Sequence, residues 1–316
     1  MKKIWLLIGL IFIMGISSCK SKTPKEVDIY LPDGTPALAM ANILDEGFTY
    51  ESTKTNFHIV PAGNIAQEVS ADTCDLAIMP VTAAATLYNK GIEIRLVSVN
   101  VFGNLHIVGT NELDSLEELK GQIVYTTTGT TIAMVKYLLS NSNISFGEGE
   151  EKEDGKVMLC SKNDASEIIP LLSKAAKDGV QAYGVLGEPV VTKALALPAN
   201  LKLTFDLQKI YKDLKQTDGY PQAGLVVKKS FAEEHPDYVA ALLDKLEENN
   251  AYLLAHTEQL PKVFEKYDSS LKGMTFTQDT ISRCNVEAKR AKTIENDILG
   301  YVKELAKLDL TSDFIY

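Results

Sequence analysis

The chain has 316 residues, 45% of them hydrophobic, and its 42 aspartates and glutamates outweigh 32 lysines and arginines for a net charge of −10. That length is enough for two lobes with a core each. So acidic a body lacks the basic stripe that a phosphate backbone requires, which argues against nucleic acid as a partner.

The first stretch, "MKKIWLLIGLIFIMGISSC", reads as a targeting segment. Lys2 and Lys3 precede an apolar run over residues 4–14, well short of the roughly 20 residues that span a bilayer. Small residues then lead to Cys19, and this ending resembles the lipobox of bacterial lipoproteins. The resemblance implies a signal peptide over residues 1–18, an acylated Cys19, and a solvated tether over residues 19–26. Losing Lys2 and Lys3 takes the net charge from −10 to −12 and removes Trp5, the only tryptophan. Cys74, Cys160 and Cys284 remain, an odd set without a CxxC pair, so zinc and thioredoxin-like readings fail and all three read as small buried hydrophobes. His58, His106, His235 and His256 are scattered without metal-ligand spacing, and no metal or cofactor is expected.

From residue 27 onward the chain repeats one grammar: strand, loop, helix. "VDIYL" leads through "PDGTP" into "ALAMANIL"; "FHIV" through "PAGN" into "IAQEVSAD"; "CDLAIM" through "PVT" into "AAATLYNKG", which Gly91 stops. After "IEIRLVSVNVFGNLHIVGT" and the charged "SLEELKG", the grammar restarts at Gln122. "IVY" leads through "TTTGTT" into "IAMVKYLL"; "KVMLC" through "SKND" into "ASEIIPLLSKAAKDG"; "VQAYGVL" through "GEP" into "VVTKALAL". "DGTPALAMANIL" echoes "TGTTIAMVKYLL". Two sets of such units predict two α/β lobes with mainly parallel sheets, whose ligand would sit outside the strands' carboxyl ends. The stretch over residues 146–155, "FGEGEEKEDG", reads as an acidic solvated loop. From Ser230 the chain reads as mostly helical, including one long amphipathic run over residues 286–310, with the apolar faces covering the first lobe.

The loops at the carboxyl ends cover residues 32–36, 62–64, 79–82, 126–131 and 187–189. They hold hydroxyls, amides and glycines, and Asp33 and Glu188 are their only ionisable residues. Without a nucleophile and a positioned base, the inventory suits binding rather than turnover, and no catalytic residue is assigned. Asp33, before Gly34 at a helix entry, reads as a capping carboxylate. Glu188 reads equally as a first-turn helix carboxylate or as a ligand contact. The threonine loop fails the P-loop pattern because Thr130 follows Gly129 where lysine should stand. It still offers a helix N-terminus and hydroxyls to something polar.

"PDGTPALAMANIL", "CDLAIMPVTAAATLYNKG", "GEPVVTKAL" and "GYPQAGLVVKKSFAEEHPDYVAALL" together resemble the substrate-binding lipoproteins of ABC importers, in the nitrate, sulfonate, taurine and thiamine-precursor group. The resemblance implies a two-lobed type 2 periplasmic-binding fold, with lobe 1 formed by residues 27–100 and 222–316 and lobe 2 by residues 101–221. It implies crossings near residues 99–106 and 218–225 and a hinge that closes on solute. Carried over by position, ligand contacts would be Gly34, Thr35, Asn64 and Thr82 on one side and Thr128, Gly129, Thr130 and Glu188 on the other. Asn104, Tyr220 and Gln222 are hinge candidates, and the "SRCN" stretch at residues 282–285 is set aside. Cys74 stands where the family usually has glycine, which predicts an altered turn there.

The implied ligand is a small polar organic molecule, aminopyrimidine- or thiamine-precursor-like, or else sulfonate- or taurine-like. Glu188 would accept from an amino group, and Tyr125, Phe102, Tyr183 or Tyr220 would supply a stacking face. The implied partners are an ABC permease and ATPase, and a membrane reached through the lipid anchor, for a monomer outside the cytoplasm. A ligand-gated sensor or surface lipoprotein is the alternative. An enzyme resembling the pyrimidine synthases is disfavoured, because their cysteine-rich motif is absent.

Overall fold

The computed structural model describes residues 24–316 apart from residue 72, so the signal segment and Cys19 lie outside the described residues. Thirteen strands form two sheets. The first contains β1 (Glu26–Pro32), β2 (Thr49–Tyr50), β3 (Thr53–Val60), β4 (Leu76–Pro80), β5 (Ile94–Phe102), β12 (Pro221–Lys228) and β13 (Val286–Arg290), in the order β13-β5-β12-β4-β1-β3-β2. The second contains β6 (Leu105–Gly109), β7 (Ile123–Thr127), β8 (Phe146–Glu148), β9 (Val157–Lys162), β10 (Tyr183–Gly187) and β11 (Lys202–Asp206), in the order β11-β6-β10-β7-β9-β8. The chain passes between the sheets through residues 103–104 and returns through residues 207–220.

All six strand–loop–helix units are present, and their strands pair in parallel: β1 with β3 and β4 in one sheet, β7 with β9 and β10 in the other. The sheets as wholes are mixed, because β5, β12 and β13 pair antiparallel, as does β6 with both β10 and β11. Two segments differ from the sequence reading. Residues 146–148 form β8 against β9 at the head of the acidic stretch. Residues 286–290 are a strand, because Asn285 ends the preceding helix in the left-handed conformation and turns the chain onto the free edge of β5.

Each sheet is sandwiched. Helices Pro236–Glu247, Asn249–Ala255, Leu260–Glu265 and Gln278–Cys284 bury Leu242, Leu253, Phe264 and Ile281 with Ile29 and Leu225 on one face of the first sheet. Helices Ala165–Lys177 and Val190–Leu195 bury Ile168, Leu172 and Val191 with Val108 and Leu186 on one face of the second. The remaining faces share a continuous core. There the C-terminal helix Glu295–Leu305 touches both Val81–Asn89 and Thr130–Asn141, so it covers more than the first lobe alone.

Cys74, Cys160 and Cys284 are all buried. Cys74 does not adopt the positive φ that a glycine there would favour. Among the described residues no helix is long and apolar enough to cross a membrane, and no three metal-binding side chains converge.

Candidate functional site

Two glycines set the backbone of the two facing loops. Gly34 (φ 93°, ψ −140°) opens the helix Thr35–Leu38, and Gly129 (φ 74°, ψ −133°) opens Thr130–Asn141. The matching angles make the internal echo a structural one. A side chain is disfavoured at such positive φ, yet a Cβ on either glycine would meet nothing within 4 Å. No side chain caps either helix, so Thr128 does not spend its hydroxyl on Thr130–Asn141. Of the other threonines, Thr126 is buried and donates to the Thr127 carbonyl, and Thr130 reaches across to the first sheet's loops. Its hydroxyl lies 3.3 Å from that of Thr82. Thr128 and Gly129 are exposed, as is Asn64 on the opposite side.

Below this contact lies a polar knot at the crossing. Thr35 donates its hydroxyl to the Glu188 carbonyl at 2.6 Å, and Asn104 Nδ2 donates to both Thr35 Oγ1 (2.8 Å) and that carbonyl (3.1 Å). Asn104 on the first crossing and Gln222 at the start of β12 exchange two hydrogen bonds of 2.9 Å: Asn104 N–H to Gln222 Oε1, and Gln222 Nε2 to Asn104 Oδ1. Asn285 closes the group, donating to the Gly103 carbonyl at 2.7 Å. Behind it His106 is wholly buried with Nδ1 3.0 Å from the Asn104 carbonyl. Burial pushes its pKa below the ordinary value, against the pull of Asp206.

The Glu188 carboxylate is already fully engaged. Its side chain is 0% exposed and accepts from Arg283 Nε at 2.6 Å, Thr192 Oγ1 at 3.0 Å and Thr192 N–H at 3.1 Å. Arg283 comes from the stretch that sequence reasoning set aside, and Thr192 lies one turn beyond Glu188. Asp33 does not cap a helix. Burial alone would raise its pKa, but hydrogen bonds from Ser269, Ser270 and the Gly34 amide hold it below the ordinary value and tie the loop to the C-terminal segment.

The structure thus brings Thr35, Asn104, Glu188 and Gln222 together, and separately Thr82 and Thr130. It places Tyr220 elsewhere: wholly buried, between Tyr211 and Tyr301, on the core side of the crossing. Tyr183 is equally buried and donates to Asn111, and Phe102 is buried beneath Lys289. Tyr125 alone is partly open, with Lys162 over its ring.

No protein-family model matches the chain, and no curated protein matches it in sequence. Solved structures do. One from Parabacteroides distasonis, described as an ABC transporter, superposes with a TM-score of 0.72 at 21% identity, covering 92% of this chain and 99% of that one. This is the fold of the periplasmic binding proteins. The ligand-binding component of an ABC-type import system from Staphylococcus aureus, with zinc bound, gives 0.63 at 12% identity, covering 92% and 96%. The alkanesulfonate-binding protein SsuA from Xanthomonas axonopodis pv. citri, bound to MOPS, gives 0.60 at 14% identity, covering 93% and 98%. In a fold of this kind the loops at the carboxyl ends of both sheets face one another, which is where Thr82 and Thr130 meet.

Proposed function

We propose that this chain is an extracytoplasmic solute-binding lipoprotein that captures a small polar organic molecule between two lobes and delivers it to an ABC importer by hinge closure. The observation that carries the reading is the contact of Thr82 with Thr130, in the first turns of helices that follow β4 and β7 of two separate sheets. Residues 27–100 with 222–316 and residues 101–221 are the two moving bodies, and Cys19 is the acylated anchor.

The ligand contacts are the open groups of the facing loops: Gly34, Asn64, Thr82, Thr128, Gly129 and Thr130. Thr35, Asn104 and Gln222 hold the crossing, and Glu188 is spent on Arg283. With that carboxylate occupied, the reason to favour an amino group on the solute falls away. Hydroxyls and the N–H groups at the start of Thr130–Asn141 are donors, which favours an oxygen-rich head group of the sulfonate or taurine kind over an aminopyrimidine. The likeness to a sulfonate-binding protein supports the same choice. The loops contain no nucleophile with a base beside it, so the reading is capture without turnover. A sensor on the same fold would bind solute identically but would not engage a permease.

Thermal denaturation of the soluble chain with alkanesulfonates, taurine, aminopyrimidines and flavins tests the reading. A true ligand at a hundredfold excess over its dissociation constant stabilises by about 2.7 kcal/mol. A shift with an aminopyrimidine and none with sulfonates would overturn the ligand class; no shift with any of them would overturn capture of this kind. Co-purification of a permease separates importer from sensor.

A further inference from the structure

We propose that Arg283 is the positioning residue of closure: paired with Glu188, it latches the two lobes together before solute arrives. This rests on the hinged-capture reading above. The two partners are rooted in different cores. Arg283 lies on Gln278–Cys284, whose Ile281 and Cys284 pack with the first sheet, whereas Glu188 follows β10, between Leu186 and Val191 of the second sheet's core. The bond between them therefore spans the cleft.

The contact is interlocked. Glu188 and Thr192 stand one turn apart on one side, Thr280 and Arg283 one turn apart on the other. Arg283 donates through Nε to Glu188 and through Nη2 to Thr192 Oγ1 at 3.0 Å, while Thr280 Oγ1 lies 3.3 Å from Thr192 Oγ1. The backbone carbonyl of the same Glu188 receives Thr35 and Asn104. One residue thus carries both the side-chain and main-chain halves of the lobe contact. The Glu188 side chain is 0% exposed against 23% for Arg283, so losing the arginine strands a buried carboxylate, whereas opening the cleft returns it to water. Removing Arg283 therefore favours the open form. The solute then has to supply, by differential affinity, only what the latch does not.

Small-angle X-ray scattering of the chain from residue 24 onward, which carries both sheets and their cores, decides this on protein stripped of solute by dialysis. Wild type should scatter as a mixture of open and closed forms with a substantial closed fraction. Arg283→Met should raise the open-to-closed ratio at least tenfold, Arg283→Lys should retain most of the closure, and Glu188→Gln with Arg283→Met should open no further than Arg283→Met alone. Scattering of Arg283→Met identical to wild type, with only a lower melting temperature, would reduce the pair to a structural contact. If circular dichroism shows Arg283→Met unfolded, Arg283→Gln and Thr192→Val carry the test, and scattering unchanged from wild type in both would overturn the latch. No solute enters the experiment, so its failure is separable from failure of the capture reading, which the solute screen tests.

Discussion

Asn104 uses every polar atom it owns. Its N–H and Oδ1 meet Gln222, its Nδ2 meets Thr35 and Glu188, and its carbonyl accepts from the Glu188 amide and the His106 ring. Asn104→Ala leaves Gln222 Nε2 without its acceptor and takes one donor each from Thr35 Oγ1 and the Glu188 carbonyl, so chemical denaturation should show a loss of ~1–3 kcal/mol. A loss below ~0.5 kcal/mol would mean the crossing does not depend on it. His106, held neutral by burial, gives a sign for acid sensitivity. Its pKa is lowered from 6.5, so its contribution is complete above that value and is lost as pH falls through it towards the folded-state pKa. A denaturation series from neutral to acid should show that limb in wild type, and His106→Gln should flatten it. Asp33 works at lower pH. Its lowered carboxylate contributes stability above its ordinary 3.8, lost as pH falls through the depressed value, and Asp33→Asn should remove that part of the acid dependence.

The strand–loop–helix units were legible at the scale of elements because apolar strands mark all six and Gly, Pro or Thr loops punctuate five of them, with "SKND" at the sixth. Their internal echo appears as similar backbone angles at Gly34 and Gly129. Gly34→Ala and Gly129→Ala should each cost about 1–2 kcal/mol, by backbone conformation alone, since the added methyl meets no atom within 4 Å. Equal stability of either variant and wild type in a urea titration would contradict this. β13 was not legible, because "VEAKR" reads as the start of an amphipathic helix until β5 offers it an edge. Arg283 and Asn285 were missed for a related reason: their partners lie about 95 and 182 residues away in sequence. An asparagine ending a short helix after "SRC" was the one local signal, and it marks a left-handed cap rather than a site. Glu188 stood out in its own loop as an ionisable residue, but its partner Arg283 could not be read from there.

For the whole molecule, two sheets joined by two crossings place hydroxyl-rich loops face to face, with a polar knot on the cleft side of the crossing and a tyrosine stack of Tyr211, Tyr220 and Tyr301 on the other. Length allowed two lobes and the acidic composition argued against nucleic acid; which tyrosines face the core and which segments meet is fixed only by the packed crossing. The central claim is that one polar solute is held between those loops. Native mass spectrometry of the soluble chain with a mixture of alkanesulfonates, taurine and aminopyrimidines tests it most directly. A single solute should bind one to one, an oxyanion rather than an aminopyrimidine, and at least tenfold more weakly to a variant carrying Thr82→Val and Thr130→Val. Stoichiometric binding that this double change leaves intact, or an aminopyrimidine as the bound species, would contradict it.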